Sequence, residues 1–395
     1  MPNAILTPTA VTREAIVVLH QKLNFIGSIN HQYDDSFAKD GAKIGDSLKI
    51  RLPNEYVVRS GINMAAQDTS EASTTLQVST VKGVDVNFTS QELTLSLQDF
   101  SDRIIEPAMS VLAAAIEADA LSMALDVYNV VNNIGASLSM RAALQARKQL
   151  VDCLAPGSSR SLLLNTQDNL DLVDNLKGLF QDQTQVAKQY REGKVGTTAG
   201  FGDIFENTLM PSQLTGTAAS ATTYTVNGAG QVGAGVVVAI GATTFKRGDV
   251  VTFAGCNRVH PETKADTGAP QQFVVTADYA GGAGTLAISP SIVIATGRQN
   301  VTASPTNGGA ITKVGGASAI YKPSLAFHKD AFTFATADLV QPKGVDFAAR
   351  EVMDGISMSM VRQFVIADRS FPCRLDVLYG YKTLRAQLAS RILSN

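Results

Sequence analysis

The sequence predicts an α+β protein whose mixed body is interrupted by a separate all-β domain. Three observations support this fold class. Residues 96–128 carry apolar side chains at helical spacing, and residues 36–95 alternate apolar and polar side chains at strand spacing. Residues 213–325 are rich in Gly, Ala, Thr and Val and contain few charges. The 395 residues are enough for two or three domains of about 100–200 residues each.

The composition favours a self-assembling protein. Charged residues make up only 17% of the chain, against about 25% in an average globular protein. A monomer with so few charges has a thinly solvated surface, and burial against other subunits is one remedy. A monomer rich in Ser, Thr, Asn and Gln would look similar, so this alternative stays open. The net charge of −2 argues against a nucleic-acid-binding protein with clustered Lys and Arg.

Cysteine usage and hydropathy indicate folding in a reducing cytoplasm. Cys153, Cys256 and Cys373 are far apart and form no CxxC motif, so we expect no disulfide framework. Residues 1–10 lack the charged region and apolar run of a signal peptide. Since no stretch approaches about 18 consecutive apolar residues, we expect no membrane span.

Residues 1–35 are predicted to form an arm with one helix. Thr12 is the predicted N-cap. A single apolar stripe follows, which must dock on the rest of the protein because so short a helix is unstable alone. The stripe consists of Ile16, Leu19, Leu23 and Ile26.

Residues 36–95 are predicted to form a long two-stranded excursion with a flexible tip. Period-two alternation over 47–53, 76–79 and 84–88 indicates half-buried strands, and residues 59–73 are polar and small. An isolated hairpin is marginal in water, so we expect the excursion to rest on a neighbour. The candidate contacts between subunits are Arg51, Glu55 and Arg59.

The clearest predicted helix lies within residues 96–128. Its apolar residues follow one another in steps of three and four, and Pro107 marks either its start or a bend. Glu117 and Asp119 lie off the apolar stripe and point to different sides, so they cannot share a site. We interpret them as solvated or as salt-bridge partners between subunits. The predicted core residues are Ile105, Met109, Leu112, Ile116 and Met123.

The remaining segments complete a mixed body around the insertion. Residues 136–212 combine helical and strand patterns. Short β-branched runs within 213–325, separated by Gly, Pro and Asn, predict a small β-sandwich or barrel inserted into a loop. Beyond it, 356–360 and 374–378 alternate as strands do, and 382–393 is predicted to form a closing helix.

One glycine motif is compatible with a dinucleotide site. Gly228-Ala-Gly230-Gln-Val-Gly233 spells GxGxxG, with Asp249 about twenty residues later. The motif requires a strand before it and a helix after it. Residues 235–240 favour a strand instead, so we interpret the motif as a glycine-rich turn.

No other constellation predicts catalysis or metal binding. His260-Pro-Glu262 and Pro372-Cys373 resemble parts of a zinc-deaminase signature, but its second cysteine is missing. The four histidines, at positions 20, 31, 260 and 328, form no HExxH motif. The sequence therefore predicts no catalytic, cofactor-binding or metal residues, and this favours a structural role.

Collinear motifs along nearly the whole chain resemble a known family. They include Ala4-Ile-Leu-Thr-Pro8, Thr89-Ser-Gln-Glu-Leu-Thr94, Ile105-Glu-Pro-Ala-Met109, Gly248-Asp-Val-Val-Thr-Phe-Ala-Gly255, Asn257-Arg-Val-His-Pro-Glu-Thr263 and Leu325-Ala-Phe-His-Lys-Asp-Ala-Phe332. Together with the order of elements, they resemble the HK97-type capsid fold. More specifically, they are similar to the coat proteins of short-tailed phages in the Salmonella P22 group.

The resemblance implies a role for each segment. The expected parts are an N-terminal arm (1–35), an E-loop over the adjacent subunit (36–95), the spine helix of a P-domain (96–135), an A-domain around the capsomer centre (136–212 and 326–365), an inserted I-domain-like β domain (213–325) and the C-terminal part of the P-domain (366–395).

The same resemblance implies a function and partners. The chain would form hexamers and pentamers of an icosahedral phage head in the virion, assembled in the host bacterial cytoplasm. It would enclose double-stranded DNA without specific binding, and its partners would be itself, a scaffolding protein and a portal at one vertex. No cofactor and no membrane are implied. The alternatives are an encapsulin-like compartment shell, against which the inserted domain argues, and a nucleotide-binding oxidoreductase using the glycine-rich segment.

Overall fold

The computed structural model describes residues 8–34, 47–56, 58, 61–64, 66, 73–89, 104–176, 200–353, 355–367 and 370–394. The chain forms two compact units. The first unit contains residues 1–50, 73–121 and 332–384, and the second contains residues 51–72, 122–331 and 385–395.

Five α-helices and twenty-one strands are found in these described ranges. The helices are α1 Pro8–Lys22, α2 Phe25–Ser28, α3 Glu106–Leu121, α4 Met140–Asp152 and α5 Thr166–Leu176. The strands are β1 Asn30–Asp34, β2 Ser47–Arg51, β3 Ser73–Gln77, β4 Thr80–Thr89, β5 Val130–Asn132, β6 Arg160–Leu164, β7 Asp203–Glu206, β8 Gln213–Leu214, β9 Ala221–Thr225, β10 Gly233–Val238, β11 Val250–Val259, β12 Asp266–Val275, β13 Gly284–Ile292, β14 Ala310–Lys313, β15 Ile320–Tyr321, β16 Ser324–His328, β17 Phe332–Ala337, β18 Phe347–Met353, β19 Ile356–Arg362, β20 Ser370–Thr383 and β21 Ala389–Leu393.

The first unit is a sheet with helices packed on it. Its strand order is β1-β17-β20-β19-β18, and β4 also pairs with β20. Among the described strands of this sheet, only the β1–β17 pair is parallel. Helix α1 packs against α3, β18 and β19, and its apolar stripe is buried. The predicted docking of the arm helix is therefore confirmed.

The arm helix begins earlier than predicted. It starts at Pro8, a residue suited to the first helical turn because its missing N–H has no partner there. Thr12 consequently lies inside α1 and is not its N-cap. Its hydroxyl is fully buried and donates to the sulfur of Met360 at 3.1 Å.

Helix α3 carries the predicted core. It begins at Glu106 with Pro107 in its first turn, so the proline marks a start. After Leu121 the chain continues as a 3-10 turn, Ser122–Asp126. By length and composition alone, residues 106–126 could cross a membrane, but half of the apolar window is buried within the protein, as a core helix would be. The five predicted core residues, Ile105, Met109, Leu112, Ile116 and Met123, are all buried, and Met123 lies in the 3-10 turn.

Glu117 and Asp119 of α3 have different partners, and Glu117 is not solvated. Its buried carboxylate accepts the backbone N–H groups of Asn24 and Phe25 at 2.9 Å each, and so caps the start of α2. Asp119 accepts a hydrogen bond from the Tyr379 hydroxyl at 2.6 Å and pairs with Lys82 at 2.7 Å. The interpretation of Glu117 as a surface or inter-subunit group was therefore wrong.

The second unit contains a five-stranded sheet in the order β5-β21-β16-β6-β7. Strand β21 of this sheet lies where the closing helix was predicted, at 382–393, so that prediction was wrong. Strand β20 runs to Thr383, a 3-10 turn covers Ala386–Leu388, and β21 follows. All five residues of β21 are buried, and a strand buried on both faces lacks the alternation that would distinguish it from a helix.

The segment predicted as a small sandwich or barrel is a closed barrel. Its sheet order is β10-β13-β12-β11-β14-β9, and a bridge between Val226 and Val238 joins the two end strands. Strands β8 and β15 pair where the chain enters and leaves the barrel. The glycine-rich motif leads into strand β10, so it lacks the helix that a dinucleotide site requires. The barrel has its own core of buried residues, including Tyr224, Val236, Phe245, Phe253, Phe273 and Leu286.

The borders of the two compact units differ from those of the expected segments. Strands β17 to β20 all belong to the first unit. A boundary between 326–365 and 366–395 would therefore separate β19 from β20, which pair from Ser359 with Asp376 to Arg362 with Cys373.

Truncating the core of α3 is expected to destabilise the subunit strongly. Leu112→Ala or Ile116→Ala should each lower the free energy of unfolding by about 2–5 kcal/mol, because apolar contacts are lost and a cavity remains. Val111 is 67% exposed on the same helix, so Val111→Ala is the matched control and should have little effect. Urea unfolding of the three variants would measure this, and equal effects at Leu112 and Val111 would contradict the burial pattern.

Residues 213–325 are expected to fold when expressed alone. The barrel has a closed sheet and its own core, so circular dichroism should show strand structure and a cooperative melt. The isolated domain should be less stable than in the whole chain, since Val250 and Val274 pack on Tyr128, Val130 and Leu393 outside it. A random-coil spectrum would show that the barrel depends on the body for its fold.

Candidate assembly surfaces

The described part of the excursion carries an exposed apolar tip. Strands β2 and β3 pair with each other, and four large apolar side chains in the segment between them face solvent: Tyr56, Val58, Ile62 and Met64. Ile62 is 97% exposed and Met64 is 87% exposed. Single exposed apolar residues are common, but several in one short segment mark an interaction surface. We call these four residues the apolar tip.

Sequence reasoning missed the apolar tip. The stretch 59–73 was interpreted as polar and small, yet Ile62 and Met64 lie within it. The signal was present in the sequence as isolated apolar residues outside any strand or helix pattern. Periodicity searches pass over such residues because they have no period.

The three charged residues predicted to contact a neighbouring subunit differ in what the structure shows of them. Arg51 is exposed at the end of β2. Glu55 lies 3.8 Å from Lys264 of the inserted barrel, so this carboxylate has a partner in its own chain. Arg59 lies outside the described residues.

The base of the excursion rests on the protein's own sheet. Leu76 and Val78 are buried with Leu378 in one apolar cluster. Lys382 donates to the carbonyl oxygen of Thr75 at 2.6 Å. At Gly380 an added Cβ would lie 2.1 Å from the carbonyl oxygen of Gln77. Strand β3 is therefore fixed to β20, and the apolar tip is the part that remains open.

Other exposed apolar residues lie on the inserted barrel and its stem. Leu214 and Ile320 are cross-strand partners in the β8–β15 pair, and both are more than half exposed. Ile240, just after β10, is 81% exposed. These are smaller groups than the apolar tip, and each is a single residue or one pair.

A buried arginine anchors the inserted barrel to the body sheet. Arg391 lies on β21 and is fully buried. Its two terminal nitrogens donate to Oε1 of Gln213 at 2.8 Å and to the carbonyl oxygen of Gly248 at 2.9 Å. Both acceptors belong to the inserted segment. A single side chain therefore ties the last strand of the chain to the place where the insertion begins.

Two further buried charges surround this junction. Asp249 accepts the backbone N–H groups of Gly216 at 3.0 Å and Lys246 at 2.9 Å. Lys313 donates to the carbonyl oxygens of Gly216 at 3.1 Å and Gly316 at 2.8 Å. Burial lowers the pKa of Lys313 and lowers the pKa of Arg391 to about 10, partly offset by nearby carboxylates. These charges hold backbone segments together and are not accessible to a substrate.

His260, which suggested a metal site, organises a turn. Its Nδ1 accepts the backbone N–H groups of Glu262 at 3.2 Å and Thr263 at 3.3 Å, in the connection between β11 and β12. Cys373 belongs to the other unit. In the described ranges, no group of three or more His, Cys, Asp or Glu side chains is placed to hold a metal ion. The side chain of His20 lies outside the described residues.

Comparison with known proteins identifies a family. A family model described as "P22 coat protein - gene protein 5" matches residues 31–390, most of the chain. A search of curated protein sequences finds no match.

Solved structures are similar in outline only. The chain resembles one from Mycobacterium phage Che8 (12% identity, TM-score 0.45, covering 94% of this chain and 90% of that chain). It also resembles the mature capsid of bacteriophage PhiM1, with 10% identity and a TM-score of 0.45 over 94% of this chain and 87% of that chain. A virus-like particle from Pyrococcus furiosus has 7% identity and a TM-score of 0.37 over 97% of both chains.

Replacing Arg391 is expected to loosen the barrel from the body. Arg391→Met keeps a long side chain but removes the donors to the buried oxygens of Gln213 and Gly248. Each acceptor that loses this hydrogen bond should lower the stability by about 1–3 kcal/mol. The free energy of unfolding in urea should fall accordingly, and the melt should split into two transitions as the barrel unfolds separately. Arg141 is exposed on α4, so Arg141→Met is the control. A single unshifted transition for Arg391→Met would show that the anchor is dispensable.

Proposed function

The chain belongs to the P22 coat protein family, and on this basis we propose that it forms the hexamers and pentamers of an icosahedral phage head. Membership makes it a phage coat protein, a structural and capsid-forming component of the virion and not an enzyme. The observation that carries the finer proposal is the apolar tip on the excursion. A monomer gains nothing from exposing these residues, whereas a shell subunit can bury them against a neighbour.

The excursion fits the role of an E-loop. Its base is fixed to the sheet of its own chain through β3 and Gly380, and its tip is open. Docking of the apolar tip on the adjacent subunit would remove this surface from water and contribute roughly 25 cal/mol per Å² of apolar area. Arg51 would add a polar contact at the rim, where charges affect specificity more than affinity.

The remaining elements support an HK97-type arrangement. Helix α3, with its buried face, would be the spine helix of the P-domain. Strands β6 and β7, which pair with each other, would belong to the A-domain, and the barrel would be the inserted domain. The net charge of −2 fits the proposal that double-stranded DNA is enclosed without specific binding. A scaffolding protein and a portal would be the further partners, with assembly in the host bacterial cytoplasm.

The two alternatives are weaker. A compartment shell of the encapsulin kind would share the fold, but the family match is to a phage coat protein. A nucleotide-binding oxidoreductase would need a helix after the glycine-rich motif, where β10 lies.

Changing the apolar tip is expected to block assembly without unfolding the subunit. Purified wild-type protein should form closed shells, or aberrant large particles without scaffold, visible by negative-stain electron microscopy. Ile62→Asn, and to a smaller extent Arg51→Glu, should reduce particle yield several-fold while the subunit's melting temperature stays unchanged. Leu170→Asn, at a 61% exposed position on α5, is the control. Wild-type protein that stays monomeric at all salt concentrations, even with a scaffolding partner, would contradict the proposed function.

A further inference from the structure

The segment leading from β2 towards the apolar tip lies against the inserted barrel of its own chain. Residues 51–72 belong to the same compact unit as the barrel. The backbone of Gly297 approaches Glu55 so closely that an added Cβ would lie 2.4 Å from its carbonyl oxygen. The Glu55 carboxylate also lies 3.8 Å from Lys264, whose Nζ donates to the carbonyl oxygen of Gln299 at 3.3 Å. Two parts of the barrel thus meet one residue of the excursion.

The approach requires a glycine at position 297. The φ of Gly297 lies outside the left-handed region that favours glycine, and the turn is made by Thr296, with a φ of 79°. Any residue could adopt the backbone conformation at Gly297. Glycine is needed there because a side chain would collide with the backbone of Glu55. The ion pair is a smaller contribution, because the Glu55 side chain is 49% exposed and surface pairs contribute little.

The loop that carries Gly297 is braced internally. The side chain of Asn300 accepts the backbone N–H of Val293 at 2.9 Å and donates to the carbonyl oxygen of Ser291 at 2.7 Å. The N–H of Gln299 donates to the carbonyl oxygen of Thr296 at 3.1 Å. These bonds close the ends of the loop on each other. The position of Gly297 is therefore fixed by hydrogen bonds within its own loop.

We propose that the inserted barrel is a cradle that holds the excursion of its own chain before assembly. Gly297 and Lys264 are positioning residues in this cradle, and the held segment is 52–55, directly before the first residue of the apolar tip. A neighbouring subunit would then meet an apolar tip whose base is already fixed, so less conformational freedom is lost on association. This inference rests on the proposed docking of the apolar tip, and it adds the element that prepares the tip for docking.

A single fluorophore can report on the cradle. The chain contains no tryptophan, so Tyr56→Trp places one next to the contact. In the unassembled subunit we expect high fluorescence anisotropy, and Gly297→Ala should lower it. Trypsin should also cleave after Arg51 several-fold faster in the Gly297→Ala variant. Gly157→Ala is the control, because no atom lies within 4 Å of an added Cβ there, and it should change neither readout.

A charge swap tests the cradle independently of barrel folding. Lys264→Glu places two carboxylates together and should lower the anisotropy, and adding Glu55→Lys should restore it. The proposal is overturned if Gly297→Ala and Lys264→Glu both leave anisotropy and cleavage unchanged, or if the segment is held only in assembled particles. A held segment in a protein whose particle yield is unaffected by Ile62→Asn would instead refute tip docking and leave the cradle intact.

Discussion

The insertion of the last strand into the middle of the body sheet is the constraint on which the second unit depends. Strand β21 pairs in parallel with β5 on one side and antiparallel with β16 on the other. Its residues are buried, so the sheet has no continuous core without this strand. The same strand carries Arg391 to Gln213 and Gly248. Strand β21 therefore both completes the body sheet and binds the inserted barrel, and its contacts are highly non-local.

Some of the chain's charged residues lie in its interior. Several of the few charged residues are buried, including Glu117, Asp249, Lys313 and Arg391. Each binds backbone groups at the start or end of an element, where an unpaired N–H or carbonyl would be costly. These charged groups therefore serve the fold of the subunit and are not available for contacts with other subunits.

Elements with a regular local pattern could be predicted, and elements defined by distant contacts could not. The apolar steps of α3 identified its buried residues, and the change of composition located the barrel. Strand β21 was misread because a strand buried on both faces has no alternation. Glu117 was misread because its position off the apolar stripe indicated solvent, whereas α2 of the arm covers it. The fit of Gly297 against Glu55 had no local signal at all, since it depends on two segments far apart in the sequence.

Closure of the inserted barrel has a consequence for a protein that is displayed in many crowded copies. Open strand edges offer unpaired N–H and carbonyl groups that template pairing with other chains. In the fully described range 200–353, the bridge between Val226 and Val238 joins the two outermost strands of the barrel sheet. Neighbouring barrels can therefore be packed at high local concentration without recruiting one another into shared sheets. Any contact between neighbouring barrels would then be made by side chains.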